Sequence, residues 1–236
     1  MQNLEAQTLS SIVLEHHEYV PVLEKYSLDF CCRGKRTLSE ACAEKNLSAA
    51  TIIAEMNAVE NNTATQLPFE KMTAAELISY ILIRHHFYVK NSMPVIINHL
   101  NKLVEKHGQR YLHIPRVLEL FTTVKNEMES HMAKEEMVLF PRIKEMAGAD
   151  NPSLHYKPEY IAAPIDAMEA EHENAGDILF EIRDLTDNYT PPADACTTHK
   201  VCLQELKTFE EDLHQHVHLE NNILFPMALA MVQGKE

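Results

Sequence analysis

Two stretches of this chain carry one pattern, 85 residues apart. His131-Met-Ala-Lys-Glu135 continues to Val138-Leu139-Phe140-Pro141, and His216-Val-His-Leu-Glu220 continues to Ile223-Leu224-Phe225-Pro226. Both read His-x-x-x-Glu-x-x-[Val/Ile]-Leu-Phe-Pro. A spacing of four puts histidine and glutamate on the same face of a helix. Two further histidines, His86 and His172, stand alone and lie 86 positions apart. The chain therefore reads as two helix pairs, each contributing one lone histidine and one His-x-x-x-Glu.

Hydrophobic periodicity says where those side chains point. A bundle helix buries positions spaced three and four apart. Ile78, Leu82, His86, Val89 and Met93 make one such stripe, and Val117, Phe121, Val124, Met128, His131, Glu135 and Val138 a second. The third runs Ile165, Met168, His172, Ala175, Leu179, Ile182, and the fourth Cys202, Leu206, Phe209, Leu213, His216, Glu220, Ile223. In each stripe a histidine takes a slot meant for a core residue.

A carboxylate on an apolar stripe costs several kcal/mol unless something cationic compensates it. A bound metal supplies that charge, and imidazole with carboxylate suits iron, manganese or zinc. Four neutral imidazoles and two carboxylates serve two metals best when the glutamates bridge, which leaves room for oxide, hydroxide or a small diatomic ligand. A single histidine on an apolar face is more often a hydrogen-bonded core residue, and one His-x-x-x-Glu is commonplace on exposed helices. Four stripe histidines with two matched glutamates exceed both explanations. The expected ligands are His86, His131, Glu135, His172, His216 and Glu220. Glu136 competes with Glu135, but only Glu135 keeps the spacing and the repeat. His85, His214 and His218 flank the stripes as supporting or exposed residues. His107 follows His86 by 21 residues, roughly 30 Å along a helix, and reaches the same centre only if Pro94 or another break folds the segment back.

The architecture is all-α. Long amphipathic segments are expected over 73–107, 115–147, 160–186 and 195–232, with Thr73 and Glu76 as a capping box and Gly108 and Gly148 at C-terminal caps. Residues 1–60 break into shorter pieces. Pro21 interrupts the first, Cys31-Cys32-Arg33-Gly34-Lys35-Arg36 forms a turn, Thr37 and Glu40 make another capping box, and Ser48 caps the next helix. Asn61 to Gln66 reads as polar linker. The expected division is a small helical unit over 1–60, a linker over 61–72 and a four-helix bundle over 73–233.

In the turn, Arg33, Lys35 and Arg36 follow Cys31 and Cys32 in a chain of formal charge −14. Cations stabilise thiolate, so these two sulfurs are candidate nucleophiles or soft metal ligands, with Gly34 letting the turn expose them; two small residues filling a corner is the alternative. Cys42, Cys196 and Cys202 read as fillers. The acidity argues against nucleic-acid binding. No run of eighteen apolar residues spans a membrane, the start lacks the layout of a secretory signal, and an odd set of five cysteines does not suit a secreted disulfide framework. A cytoplasmic protein is expected.

The sequence resembles the repair-of-iron-centres family across essentially its whole length. Tyr26-Ser-Leu-Asp29-Phe-Cys31-Cys32-Arg-Gly34-Lys-Arg-Thr37-Leu38 is similar to that family's short cysteine-pair domain. Arg84-His85-His86, Ser130 to Pro141, Glu171-His172-Glu-x-Ala-Gly176, Thr190 to Thr198 and His216 to Pro226 resemble its haemerythrin-like domain. The resemblance implies a non-haem di-iron protein that restores iron–sulfur clusters damaged by nitric oxide or oxidants. It implies His86, His131, His172 and His216 as iron ligands, Glu135 and Glu220 as bridges, and Cys31 and Cys32 as the cysteine pair. Damaged iron–sulfur proteins would be the partners, nitric oxide or O2 the small ligands, and a homodimer is compatible. The last helix, with His-x-x-x-Glu, departs from oxygen-carrying haemerythrins. Three functions compete: donation of iron to a damaged cluster with the thiols as exit ligands, nitric oxide reduction, and carriage or sensing of O2 or nitric oxide.

Overall fold

The protein is described here from a computed structural model that covers residues 4–31, 33–59 and 69–233. Among the described residues there is no β-strand, only an isolated bridge between Thr8 and Thr37. Four long rods make the main body. The first runs through Ala74–Ile81, Leu82–His86 and Phe87–His107, and the second through Ile114–Lys134, Glu135–Leu139 and Phe140–Ala147. The third is the single helix Glu159–Leu185, and the fourth joins Thr197–Leu219, Glu220–Leu224 and Phe225–Gln233. The first rod packs between the second and fourth, and the second also packs on the third. No helix of the described residues is long and apolar enough to cross a membrane.

The rods start where local chemistry says they should. Thr73 accepts from the Glu76 N–H while Glu76 bonds back to the Thr73 N–H, satisfying two orphan donors at once. Gly108 and Gly148 are the C-cap residues, but both keep right-handed backbone, with φ of −59° and −91°. Pro94 and Pro164 lie inside continuous helices. The first rod therefore does not fold back, and His107 ends it far from His86.

Three five-residue segments are π-turns, in which the backbone bond spans five residues instead of four. Phe87 N–H donates to Leu82 C=O, Phe140 to Glu135, and Phe225 to Glu220. Each turn advances the helix phase by one residue. Val138, expected on the core stripe, is consequently 42% exposed, and Leu139 takes its slot at 1%. Pro141 and Pro226 follow directly; neither has an N–H to donate to the carbonyl four residues back, and the wider turn relieves the ring's clash with that carbonyl.

The apolar interior falls into two clusters. One holds Val89 to Leu103, Val117 to Met132, Ala175 to Ile182 and Cys202 to Val217; the other holds Leu77 to Ile81, Leu139 to Met146, Ile161 to Met168 and Leu224 to Val232. The candidate ligand residues lie at the junction of the two clusters on every rod.

The N-terminal unit comprises helices Leu9–Glu15, Val20–Lys25, Leu38–Glu44 and Ala49–Val59. Pro21 does not interrupt a helix as expected; it occupies the opening turn of Val20–Lys25, where its missing N–H is harmless. The Thr37–Glu40 capping box forms, and Ser48 accepts from the Thr51 N–H. Leu9, Ile12, Leu23, Phe30, Leu38 and Ile52 are continuous with the first of the two bundle clusters. Phe30 meets the rings of His214 and His218 edge-on, the Glu24 carboxylate lies 2.8 Å from His214 Nδ1, and Arg33 pairs with Asp177 at 2.6 Å. Of the expected linker over 61–72, residues 61–68 lie outside the described residues, while Phe69–Lys71 forms a short 3-10 helix with Phe69 buried in the second cluster.

Candidate metal centre

The repeat brings its side chains to one level of the bundle. His86 closes the first π-turn, while Glu135 and Glu220 each open one, immediately after the helical turn that carries His131 or His216. Widened turns of this kind are rare and re-aim side chains at functional sites. His172 projects from the uninterrupted third rod. All six side chains are buried, and both glutamates are 0% exposed.

They form two overlapping sets: His86, Glu135, His216 and Glu220, and His131, Glu135, His172 and Glu220, each offering ligand atoms within 4.8 Å of one another. Both glutamates belong to both sets. Glu135 Oε2 lies 3.3 Å from His86 Nε2 and 3.4 Å from His131 Nε2. Glu220 Oε1 is 2.9 Å from His216 Nε2, and its Oε2 is 3.2 Å from His172 Nε2. The ring nitrogens also approach one another, 3.2 Å for His86 and His216 and 3.0 Å for His131 and His172. Nitrogens this close can reach a single ion at ordinary metal–imidazole distances of ~2.1 Å. The donor set thus fits two iron ions bridged by two carboxylates.

Electrostatics fit the same reading. Burial opposes the charge on both glutamates, and for Glu135 so does the neighbouring Glu220, yet the surrounding imidazoles hold both carboxyls below their usual range. Burial likewise opposes a charged His131, but Glu135 and Glu220 outweigh it and raise its pKa to about 9. His86 is raised against its burial by Glu135. His216 goes the other way, lowered by burial despite Glu220. Without metal, protons on His86 and His131 occupy the places of cations. Glu135 remains the least satisfied group: its ion-pair distances are short, but neither oxygen has a well-aligned hydrogen bond.

Behind the rings stands a layer of acceptors. His86 Nδ1 lies 2.7 Å from Glu136, His131 Nδ1 3.0 Å from Glu171, and His172 Nδ1 2.8 Å from Asn221. Lys90 and Lys134 anchor the Glu136 and Glu171 carboxylates. Such acceptors fix the ring tautomer and strengthen the nitrogen facing the metal. Glu136 thus meets the His86 ring at Nδ1, the nitrogen opposite the one that Glu135 approaches. Each acceptor sits next in sequence to one of the six residues, yet serves a ring on another rod. That adjacency was the available signal for Glu171 and Asn221.

Other candidates fall outside the two sets. His107 packs near Tyr111 at the far end of the bundle. His85, His214 and His218 are buried rather than exposed. Cys31 is also not displayed by its turn: it is 6% exposed, and its thiol donates to Asp29 at 3.1 Å. Cys32 lies outside the described residues. Cys42 and Cys202 are buried, the latter thiol pushed up to about 12 by burial, and Cys196 is exposed.

The model of the Hemerythrin HHE cation binding domain matches residues 77–228, and that of the ScdA N-terminal domain, described as a domain of unknown function, matches residues 5–60. The iron-sulfur cluster repair protein YtfE of Enterobacter sp. is 36% identical over 225 residues, covering 95% of this chain and 97% of that protein. Those of Citrobacter koseri and Escherichia coli O8 are 36% and 35% identical over 228 residues, with the same coverage. The chain belongs to the repair-of-iron-centres family. In this family member the haemerythrin-like match encloses the whole His/Glu cluster, and the N-terminal match encloses Cys31, Cys32 and Gly34.

Proposed function

We propose that this protein restores iron–sulfur clusters damaged by nitric oxide or oxidants by supplying iron from a centre bound by His86, His131, Glu135, His172, His216 and Glu220. The observation that carries this reading is the sharing of Glu135 and Glu220, both fully buried, between two histidine pairs. A carboxylate that spans two ions can shift its grip from one to the other, so an ion can leave while the apolar clusters on either side stay packed. The relatives named as iron-sulfur cluster repair proteins match over nearly their full length.

The chain divides, in this proposal, into a cysteine-pair unit over 1–60, a linker over 61–72 and the di-iron bundle over 73–233. Cys31 and Cys32 receive iron on its way to the client, a damaged iron–sulfur protein. The packing of Phe30, the residue before Cys31, against His218 supports that role, because His218 lies two residues from Glu220 on the fourth rod. Free thiols at Cys42, Cys196 and Cys202 suit a reducing cytoplasm.

The test mixes iron-loaded protein with an enzyme stripped of its cluster, in the presence of sulfide. Activity should return with wild type, fail with Glu135→Ala/Glu220→Ala, which binds little iron, and fail with Cys31→Ala/Cys32→Ala, which keeps its iron. Full iron content in the glutamate double variant would refute the ligand assignment.

A further inference from the structure

The repeat relates the acceptors as well as the ligands. Glu136 and Asn221 follow Glu135 and Glu220, and each takes the Nδ1 of the lone histidine of its own helix pair. His85 and Glu171 correspond in the same way, each preceding a lone histidine. Glu171 takes the Nδ1 of His131. The matching partner for His85 is His216, and there the pattern fails. The two rings lie parallel, 4° apart in tilt and 5.6 Å between centroids. His216 Nδ1 is buried with no hydrogen-bond partner, and His85 Nδ1, 3.2 Å from Asp212, is out of line for a bond.

A metal-bound imidazole whose other nitrogen lacks an acceptor loses ring orientation and donor strength, a defect worth about 10–100-fold in metal affinity. The His131/His172 position has acceptors behind both rings, and the His86/His216 position behind only one. A cavity of about 380 Å³ between the first and second rods reaches the His86 ring, with His86, Phe87, Glu136 and Phe140 in its wall. We infer that the two irons are held unequally: the one between His86 and His216 leaves first, the one between His131 and His172 is retained, and His85 in place of a carboxylate sets the difference. This rests on the iron-donor reading above and names which ion is donated.

The full-length protein, loaded anaerobically with two ferrous ions, is mixed with excess bipyridyl chelator, and iron capture is followed by absorbance. Wild type should release iron in two phases of equal amplitude, with rates about 10–100-fold apart, and Mössbauer spectra after the fast phase should retain one of two doublets. His85→Glu supplies the missing acceptor and should slow the fast phase toward the slow one. Glu171→Gln weakens the acceptor behind His131 and should speed the slow phase while leaving the fast one unchanged. If His85→Glu does not fold, the Glu171→Gln arm decides alone. A single phase in wild type, or a Glu171→Gln effect confined to the fast phase, overturns the inequality. Failure to take up iron at all overturns the metal reading itself.

Discussion

Glu135 and Glu220 should be a burden on the metal-free protein. Both carboxylates are removed from water, they repel each other, and Glu135 has no well-aligned hydrogen bond. Their compensation in that state is protonated imidazole, chiefly His131 and His86. Replacing a buried ionic group of this kind by apolar residues of similar volume is commonly neutral or stabilising by 1–4 kcal/mol. Glu135→Leu/Glu220→Leu keeps the volume, removes both charges, and takes away the carboxylates that raise the pKa of His131 and His86. Metal-free variant should exceed metal-free wild type by about 1–4 kcal/mol. In a chain of this length each kcal/mol raises Tm by roughly 2–4 °C. Urea and thermal unfolding of chelator-stripped proteins at pH 8 measure the difference, and iron analysis should show that the variant no longer binds. A stripped variant less stable than stripped wild type would mean that the carboxylates stabilise the bundle by themselves, and the reason for invoking a metal would fall.

Iron uptake should release protons, because His131 with a pKa of about 9 is charged at pH 7.5 and must lose its proton to bind. Apparent affinity should therefore rise with pH up to about 9, and calorimetry in buffers of different ionisation enthalpy should count about one proton or more. In the metal-free protein the same raised pKa means stability from the His131–Glu135 pair that is complete below about pH 6.5 and lost as pH rises through about 9. Arg183→Ala should cost roughly 3–5 kcal/mol in urea unfolding, because Glu210, 2.8 Å from the guanidinium and 3% exposed, would be left without its cation. Gly34→Ala puts a Cβ 2.1 Å from the Phe30 carbonyl oxygen; iron content should hold, while Cys31 becomes faster to alkylate, as read by mass spectrometry.

The rods were legible because apolar residues on them recur at helical spacing and Thr73, Gly108 and Gly148 punctuate them. Residues 73–107 and 195–232 were expected and Ala74–His107 and Thr197–Gln233 are found. The meeting of the six side chains was legible for a different reason, namely that buried carboxylates are too costly to be accidental. The π-turns were not. Leu82–His86 has no proline nearby, and an extra residue in a turn leaves no mark on a pattern that tolerates both three- and four-residue steps. Val138 was misplaced on that account. The pairing of Glu171 with His131 was equally hidden, since it joins different rods and becomes visible only once they are assembled. The turn at Gly34 was read as a display for Cys31, but Phe30 and Cys31 are anchored inward by Phe30's packing and the Asp29 carboxylate.

The position of the His/Glu level between two apolar clusters has a consequence for cooperativity. A stack of hydrophobic layers normally melts as one unit because each layer supports the next through continuous packing. Here a polar waist interrupts that continuity, and the end bearing Phe140, Ile161 and Phe225 meets the rest mainly across six ionisable groups, with Leu14 of the N-terminal unit packed against it. Occupied by metal, the waist acts as a rivet. Emptied, it is a fault line, along which the smaller half can open while the half shared with the N-terminal unit stays folded.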